Sequence, residues 1–201
     1  MGVVASSVRA MDRVILMCGA AGSGKSTHAR GLAAAGYVVL SFDAEAWDRG
    51  YREHPLEDSA RAEVQRSLQG KLIDSLARGE CVVVDSSFWS RSSRDEYRRL
   101  LAPCGVEPVV HYLDTPRDVV LARLARRSGT DPDDVLVPQA QALAYLDGFE
   151  TPTPAEGPLR IVGHPPREAR DPEVEDRVRV GASPGRSVVD GQGEHLTGPV
   201  P

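Results

Sequence analysis

Residues 14–47 read VILMCGAAGSGKSTHARGLAAAGYVVLSFDAEAW. Five residues from Val14 to Cys18 are unbroken in their apolarity, which marks a strand covered on both faces. Gly19 stops the run, and a stretch of small residues with a single lysine follows. Gly24 to about Ala35 then has the composition of a helix, halted by Gly36. Tyr37–Ser41 forms a second apolar run, and Asp43 comes just after it. Outward from this stretch the alternation continues. Leu56–Arg78 is predicted to be the longest helix, with Val64, Leu68, Leu72 and Leu76 recurring every four residues. Cys81–Val84, Val109–Leu113 and Leu159–Val162 have the length and apolarity of strands. Between them, Ser92–Leu101 and Pro116–Arg127 are predicted helices. A further helix is expected to begin at Pro132, capped by Asp131 or Thr130, with Leu143, Leu146 and Phe149 on one side. Strands alternating with helices imply a parallel sheet enclosed by helix layers.

The chain has 201 residues, 41% of them hydrophobic, and a net charge of −5. One domain of ordinary size is expected, with no general attraction to nucleic acid. Lys25 and Lys71 are the only lysines, against 22 arginines. Arginine abundance therefore carries little information, whereas Lys25 stands out. Cys18, Cys81 and Cys104 make no paired motif, and the histidines show no metal-ligand spacing. No run approaches transmembrane length and no signal peptide is apparent, so a cytoplasmic protein is expected. MGVVAS matches a short acylation pattern at Gly2 and Ser6, of a kind that arises by chance. Residues 1–12 read as an extension and 13–163 as the folded domain. Residues 164–201, rich in Pro, Gly and mixed charge, read as a disordered tail.

The loop Gly19-Ala20-Ala21-Gly22-Ser23-Gly24-Lys25-Ser26 fits G-x-x-x-x-G-K-[ST], with the required strand before it and helix after it. Glycines let backbone N–H groups wrap a phosphate closely, and the helix N-terminus adds positive potential. Lys25 is expected to reach the β- and γ-phosphates, Ser26 to hold Mg²⁺ and Thr27 to bond the α-phosphate. His28, one turn into the helix, has the place of a surface or packing residue.

Asp85 follows the apolar run Cys81–Val84 and Asp43 follows Tyr37–Ser41. The carboxyl ends of parallel strands face the ligand, so both acids are expected on one edge. Asp85 suits a metal-holding acid, with a turn or capping role as its alternative. Asp43 suits a general base that accepts the proton of an attacking hydroxyl, with the N-cap of the helix at Ala44–Trp47 as its alternative. Arg123, Arg126 and Arg127 close the helix before SGTDPDD and are candidates to neutralise a triphosphate, or else to complement a helix C-terminus. In DSSFWSRSSR, Ser86, Ser87, Arg91 and Arg94 are candidates for the acceptor side, with Phe88 and Trp89 as a wall.

At GAAGSGKST, SFD, VVVDSSFWSRSSR, YLDTPRDVVLARLARR and FETPTPAEGP the chain resembles the small P-loop kinases. These are single-domain AAA-type ATPase-like proteins related to polynucleotide 5′-kinases, chloramphenicol phosphotransferases and zeta-toxin kinases. The resemblance spans about Val14–Val162. It implies an α/β P-loop NTPase three-layer sandwich, with a five-stranded parallel sheet in the order 2-3-1-4-5 and a small helical lid. It also implies ATP and Mg²⁺ as cofactors, Lys25, Ser26 and Thr27 as phosphate and magnesium residues, and Asp43 as catalytic base. Asp85 with Arg94 corresponds to the D-T-N…R element of polynucleotide kinases, although Ser86 and Ser87 replace Thr and Asn. Arg123, Arg126 and Arg127 correspond to lid arginines.

The expected activity is transfer of the γ-phosphoryl group of ATP to a hydroxyl. Lys25, Asp43, Arg123 and Arg127 are its catalytic residues, and Asp43, Asp85, Arg91 and Arg94 face the acceptor. The acceptor, a small hydroxylated molecule or a nucleic-acid 5′-hydroxyl end, stays open at this point, as does the choice between monomer and homodimer. The rival reading is a nucleotide-dependent ATPase or switch that passes phosphate only to water.

Overall fold

The computed structural model describes residues 11–52, 55–130 and 136–163. Five strands form one parallel sheet: β1 (Val14–Cys18), β2 (Val38–Ser41), β3 (Val82–Asp85), β4 (Val109–Asp114) and β5 (Leu159–Gly163). Their order is β2-β3-β1-β4-β5, as expected. Every residue of β1 and β3 is buried, because helices cover both faces of these inner strands. Helix α1 (Lys25–Ala34) lies on one face, where Ala29 packs with Ile15, Met17, Val83 and Leu113. Helices α3 (Asp58–Ala77) and α4 (Arg91–Leu101) cover the other. There Leu72, Leu76, Tyr97 and Leu101 close over Val14, Leu16, Val82 and Val84.

The register decides what shares an edge. Met17 of β1 pairs with Asp85 of β3, and Asp85 pairs with Ser41 of β2. Cys18 is level with Tyr112 of β4. The loop after β1, the acid ending β3 and the segment after β2 therefore leave the sheet side by side, at the edge where parallel sheets bind ligands.

Two boundaries differ from expectation in ways that bear on the site. Helix α2 (Phe42–Asp48) begins directly after β2 and is capped by Ser41, whose Oγ accepts from the Ala44 N–H at 3.2 Å. Asp43 is thus not the N-cap; it sits in the first turn, where a carboxylate meets the positive end of the helix. Helix α5 (Arg117–Leu124) is shorter than the predicted Pro116–Arg127. Its last turn tightens, with the amides of Arg126 and Arg127 bonding to the carbonyls of Arg123 and Leu124, both at 3.2 Å. Arg126 and Arg127 consequently leave the helix. Helix α6 (Gln139–Asp147) has Pro138 as its N-cap. The expected start at Pro132 and the Asp131 cap lie outside the described residues, as do the acylation pattern, the extension up to residue 10 and the tail from 164.

Candidate active site

The phosphate-type loop is built by backbone approach that side chains would obstruct. Gly22 has φ +84°, and a Cβ there would stand 3.2 Å from both the Val120 carbonyl oxygen and Leu124. At Gly19 a Cβ would fall 2.6 Å from Ser23 Oγ. The Gly19 N–H donates to Ser87 O at 3.1 Å, and the Ser23 N–H to Ala20 O at 3.0 Å. Ser23 is buried, and its Oγ has no hydrogen-bond partner. Ala20 and Ala21 pack against Val120, Leu124 and Ala142, so α5 and α6 lean on the loop itself. Thr115 Oγ1 donates to Ser23 O at 2.9 Å, and Arg123 Nη1 donates to Gly22 O at 3.1 Å.

Lys25 folds back over this loop, with Nζ donating to Gly19 O at 3.0 Å and Ala20 O at 2.9 Å. Burial lowers its pKa, and the charges of Asp85 and then Asp43 oppose that shift. Arg127 adds to the lowering. The fields of two acids and an arginine thus act on one ammonium group, and the register puts Asp85 and the segment carrying Asp43 at the same sheet edge as the loop. Asp85 is buried at the end of β3, whereas Asp43 is exposed on α2. Ser26 is half-buried in the first turn of α1, and Thr27 Oγ1 accepts from Arg30 at 3.2 Å. Arg126 is exposed in the turn beyond α5.

Arg94 is placed differently from expectation. Its side chain is fully buried and forms a fork with Glu156, Nε–Oε2 at 2.8 Å and Nη2–Oε1 at 3.0 Å. Nη1 donates to Phe88 O at 2.9 Å and to Glu150 O at 3.0 Å. A guanidinium held on three nitrogens and closed to solvent has no face to offer an acceptor, so Arg94 is corrected from a substrate contact to an internal tie. Phe88 is likewise buried, edge-on to Tyr97 at 4.9 Å, which leaves Trp89 as the exposed aromatic of that turn. Arg91 is exposed, its Nε 3.5 Å from Asp95.

Spacing along the chain did not point to Glu156, Glu150 or Thr115, whose partners are remote in sequence. His28 meets an equally remote partner. Its Nε2 lies 3.1 Å from Nδ1 of fully buried His111, a packing role consistent with its place in the helix.

The donor set at this edge suits a hard divalent cation. Ser26 offers a hydroxyl and Asp85 a carboxylate, and no group of three or more His, Cys, Asp or Glu is assembled among the described residues. A cation held there would take its remaining ligands from phosphate and water, as Mg²⁺ commonly does. No helix of the described residues is long and apolar enough to cross a membrane.

A family model described as an AAA domain matches residues 14–152. No curated protein matches the sequence. Among solved structures, a gluconokinase from Sinorhizobium meliloti 1021 is 26% identical, with a TM-score of 0.54 over 75% of this chain and 81% of its own. A sugar kinase from Janibacter sp. HTCC2649 is 22% identical, with a TM-score of 0.59 over 85% and 94%. Kti12 from Chaetomium thermophilum, solved in complex with ADP-AlF3, is 18% identical, with a TM-score of 0.55 over 85% and 100%.

Proposed function

Since the chain belongs to the AAA domain family and stands among the small P-loop kinases, we propose that it transfers the γ-phosphoryl group of ATP to a hydroxyl acceptor. The observation that carries this reading is the sheet register, which levels Asp85 with Met17, just ahead of the loop, and with Ser41, just ahead of Asp43, so that both acids leave the sheet at the edge that holds the lysine loop. A switch that only cycles nucleotide has no need of an exposed acid in the first turn after β2, at the edge that holds the loop; an acceptor hydroxyl does.

The loop amides and the α1 N-terminus bind the phosphates, and Lys25 exchanges its two carbonyl bonds for phosphate oxygens. Ser26 and Asp85 would hold Mg²⁺, which when bound neutralises charge on the phosphates. Arg123, Arg126 and Arg127 stand at the α5 end of the loop and stabilise charge that develops on the transferred group. Asp43 orients the acceptor and takes the proton from its oxygen as that oxygen attacks phosphorus. In an in-line displacement the bond from the bridging oxygen to the γ-phosphorus breaks and leaves ADP.

The likeness to a gluconokinase makes polyols and sugar acids the first acceptor class to try. The test is transfer from ATP with Mg²⁺ to D-gluconate, neutral sugars and a short 5′-hydroxyl oligonucleotide, followed by ³¹P resonance. A phosphomonoester signal that Asp43→Asn abolishes is the expected result. Phosphate release to water alone, at one rate whatever the acceptor, would establish the ATPase reading instead.

A further inference from the structure

Phe88 has φ +40°, the one left-handed non-glycine residue among those described. A bulky residue in that region is strained and persists only where its surroundings over-determine it. The surroundings are specific. The Phe88 carbonyl accepts from Arg94 Nη1 at 2.9 Å and from Cys18 Sγ at 3.3 Å. Its ring is buried against Tyr97. Trp89 O accepts the Glu150 N–H at 2.9 Å, and Arg94 also holds the Glu150 carbonyl. Glu156, which fixes Arg94, has its own carboxylate braced by the Thr153 N–H at 3.2 Å. On the other side of the turn, Ser87 O receives the Gly19 N–H, the first amide of the phosphate-type loop.

From this chain of contacts we infer that Arg94 and Glu156 are positioning residues: their ion pair holds the Ser86–Trp89 turn in its strained shape, and so fixes the Gly19 end of the nucleotide loop to the segment 150–156. The consequence for ligand rests on the nucleotide reading above. Neither residue touches the reacting atoms. A guanidinium is required because one side chain must fork onto a carboxylate and still hold two carbonyls, which an ammonium cannot do in the same geometry.

The experiment uses the full chain in a Trp47→Phe background, so that Trp89 is the only indole. Acrylamide quenching then reads the turn, and calorimetric titration with MgADP reads the loop. Removing one partner alone would bury an uncompensated charge and strongly destabilise the fold, so the principal variant is Arg94→Leu with Glu156→Leu; Arg98, which also lies 3.6 Å from Glu156, keeps its bond to Asp95 at 2.8 Å. A cooperative thermal transition checks that it folds. Release of one strained residue should weaken MgADP binding roughly ten-fold and raise Trp89 quenching. Arg94→Lys, which keeps the charge and loses the fork, should lie between the double variant and wild type; if the double variant does not fold, this variant decides. Unchanged affinity overturns the inference whether or not Trp89 loosens. Weakened affinity with Trp89 unmoved overturns it too, since the loss would then run by another route. Failure of the wild type to bind MgADP would instead remove the nucleotide reading, while quenching in the variants still reports whether the pair holds the turn.

Discussion

At the residue scale, Asp43 and Lys25 divide the work in a way that substitutions separate. Lys25→Ala removes the point charge at the loop and should lower transfer by about a hundred-fold or more. Asp43→Asn keeps the shape of the site but cannot accept a proton. It should leave MgATP affinity near wild type and lower the transfer rate by about 10²–10⁴, the range of a lost general base, in single-turnover assays. Gly22→Ala should act through geometry alone. Its Cβ would press on Val120 O and Leu124 from a positive φ, at a cost of about 1–3 kcal/mol in thermal or denaturant unfolding.

His111 supplies a residue-scale test of pH dependence. Burial first, then His28 and Arg160, push its pKa down to about 4 from 6.5. The unfolded chain takes up the proton below 6.5, and the folded chain does not until near 4. Stability should thus fall as pH drops through that window. His111→Leu should flatten the slope between pH 6.5 and 4 in urea titrations.

Among the elements, α2 matters most, because seven residues carry the proposed base. It is held to α3 by Glu45, which is buried and accepts from Lys71, from Ser67 at 2.8 Å and from Arg49 at 3.0 Å. Burial alone would raise the Glu45 pKa, yet the bonds from Lys71, Ser67 and Arg49 hold it at about 2. A depressed carboxylate stabilises the fold above its unfolded pKa, near 4.5, and that stabilisation fades as pH falls toward 2. Glu45→Gln should lower Tm at pH 7 and reduce its loss between pH 4.5 and 2, as read by differential scanning calorimetry.

The elements also show where sequence reading stops. The strands were legible because continuous apolar runs bounded by glycine have few other readings, and α3 because its leucines recur at helical spacing. The end of α5 was not, since a tightened last turn depends on packing against the loop rather than on the composition of LARLARR. The cap of α2 was not legible either: Asp43, with the N-cap as the alternative to its role as base, stands next to the helix, whereas the true cap Ser41 is hidden at the end of an apolar run.

Over the whole molecule, the parallel order of the sheet is what makes the site. It brings three segments far apart in sequence, after β1, β2 and β3, to one edge, and the register of Met17, Asp85 and Ser41 levels them. Motif and strand pattern together made it legible that the segments carrying Lys25, Asp43 and Asp85 leave the sheet at one edge. Arg94 was misplaced for the converse reason. Its partner Glu156 lies 62 positions away, on a segment with no periodic signal, and only the folded chain closes that distance. A polar residue in an otherwise acceptor-like stretch is indistinguishable from a ligand until its partner is known.

On the proposed function, the pocket around Lys25 seats a nucleoside triphosphate with its outer phosphate toward Asp43. Calorimetric titration of the full chain with a non-hydrolysable ATP analogue and Mg²⁺ tests it most directly. Wild type should bind saturably, Asp43→Asn should bind as well, and Lys25→Ala should not bind. Absence of binding by wild type, or equal binding by Lys25→Ala, would contradict it.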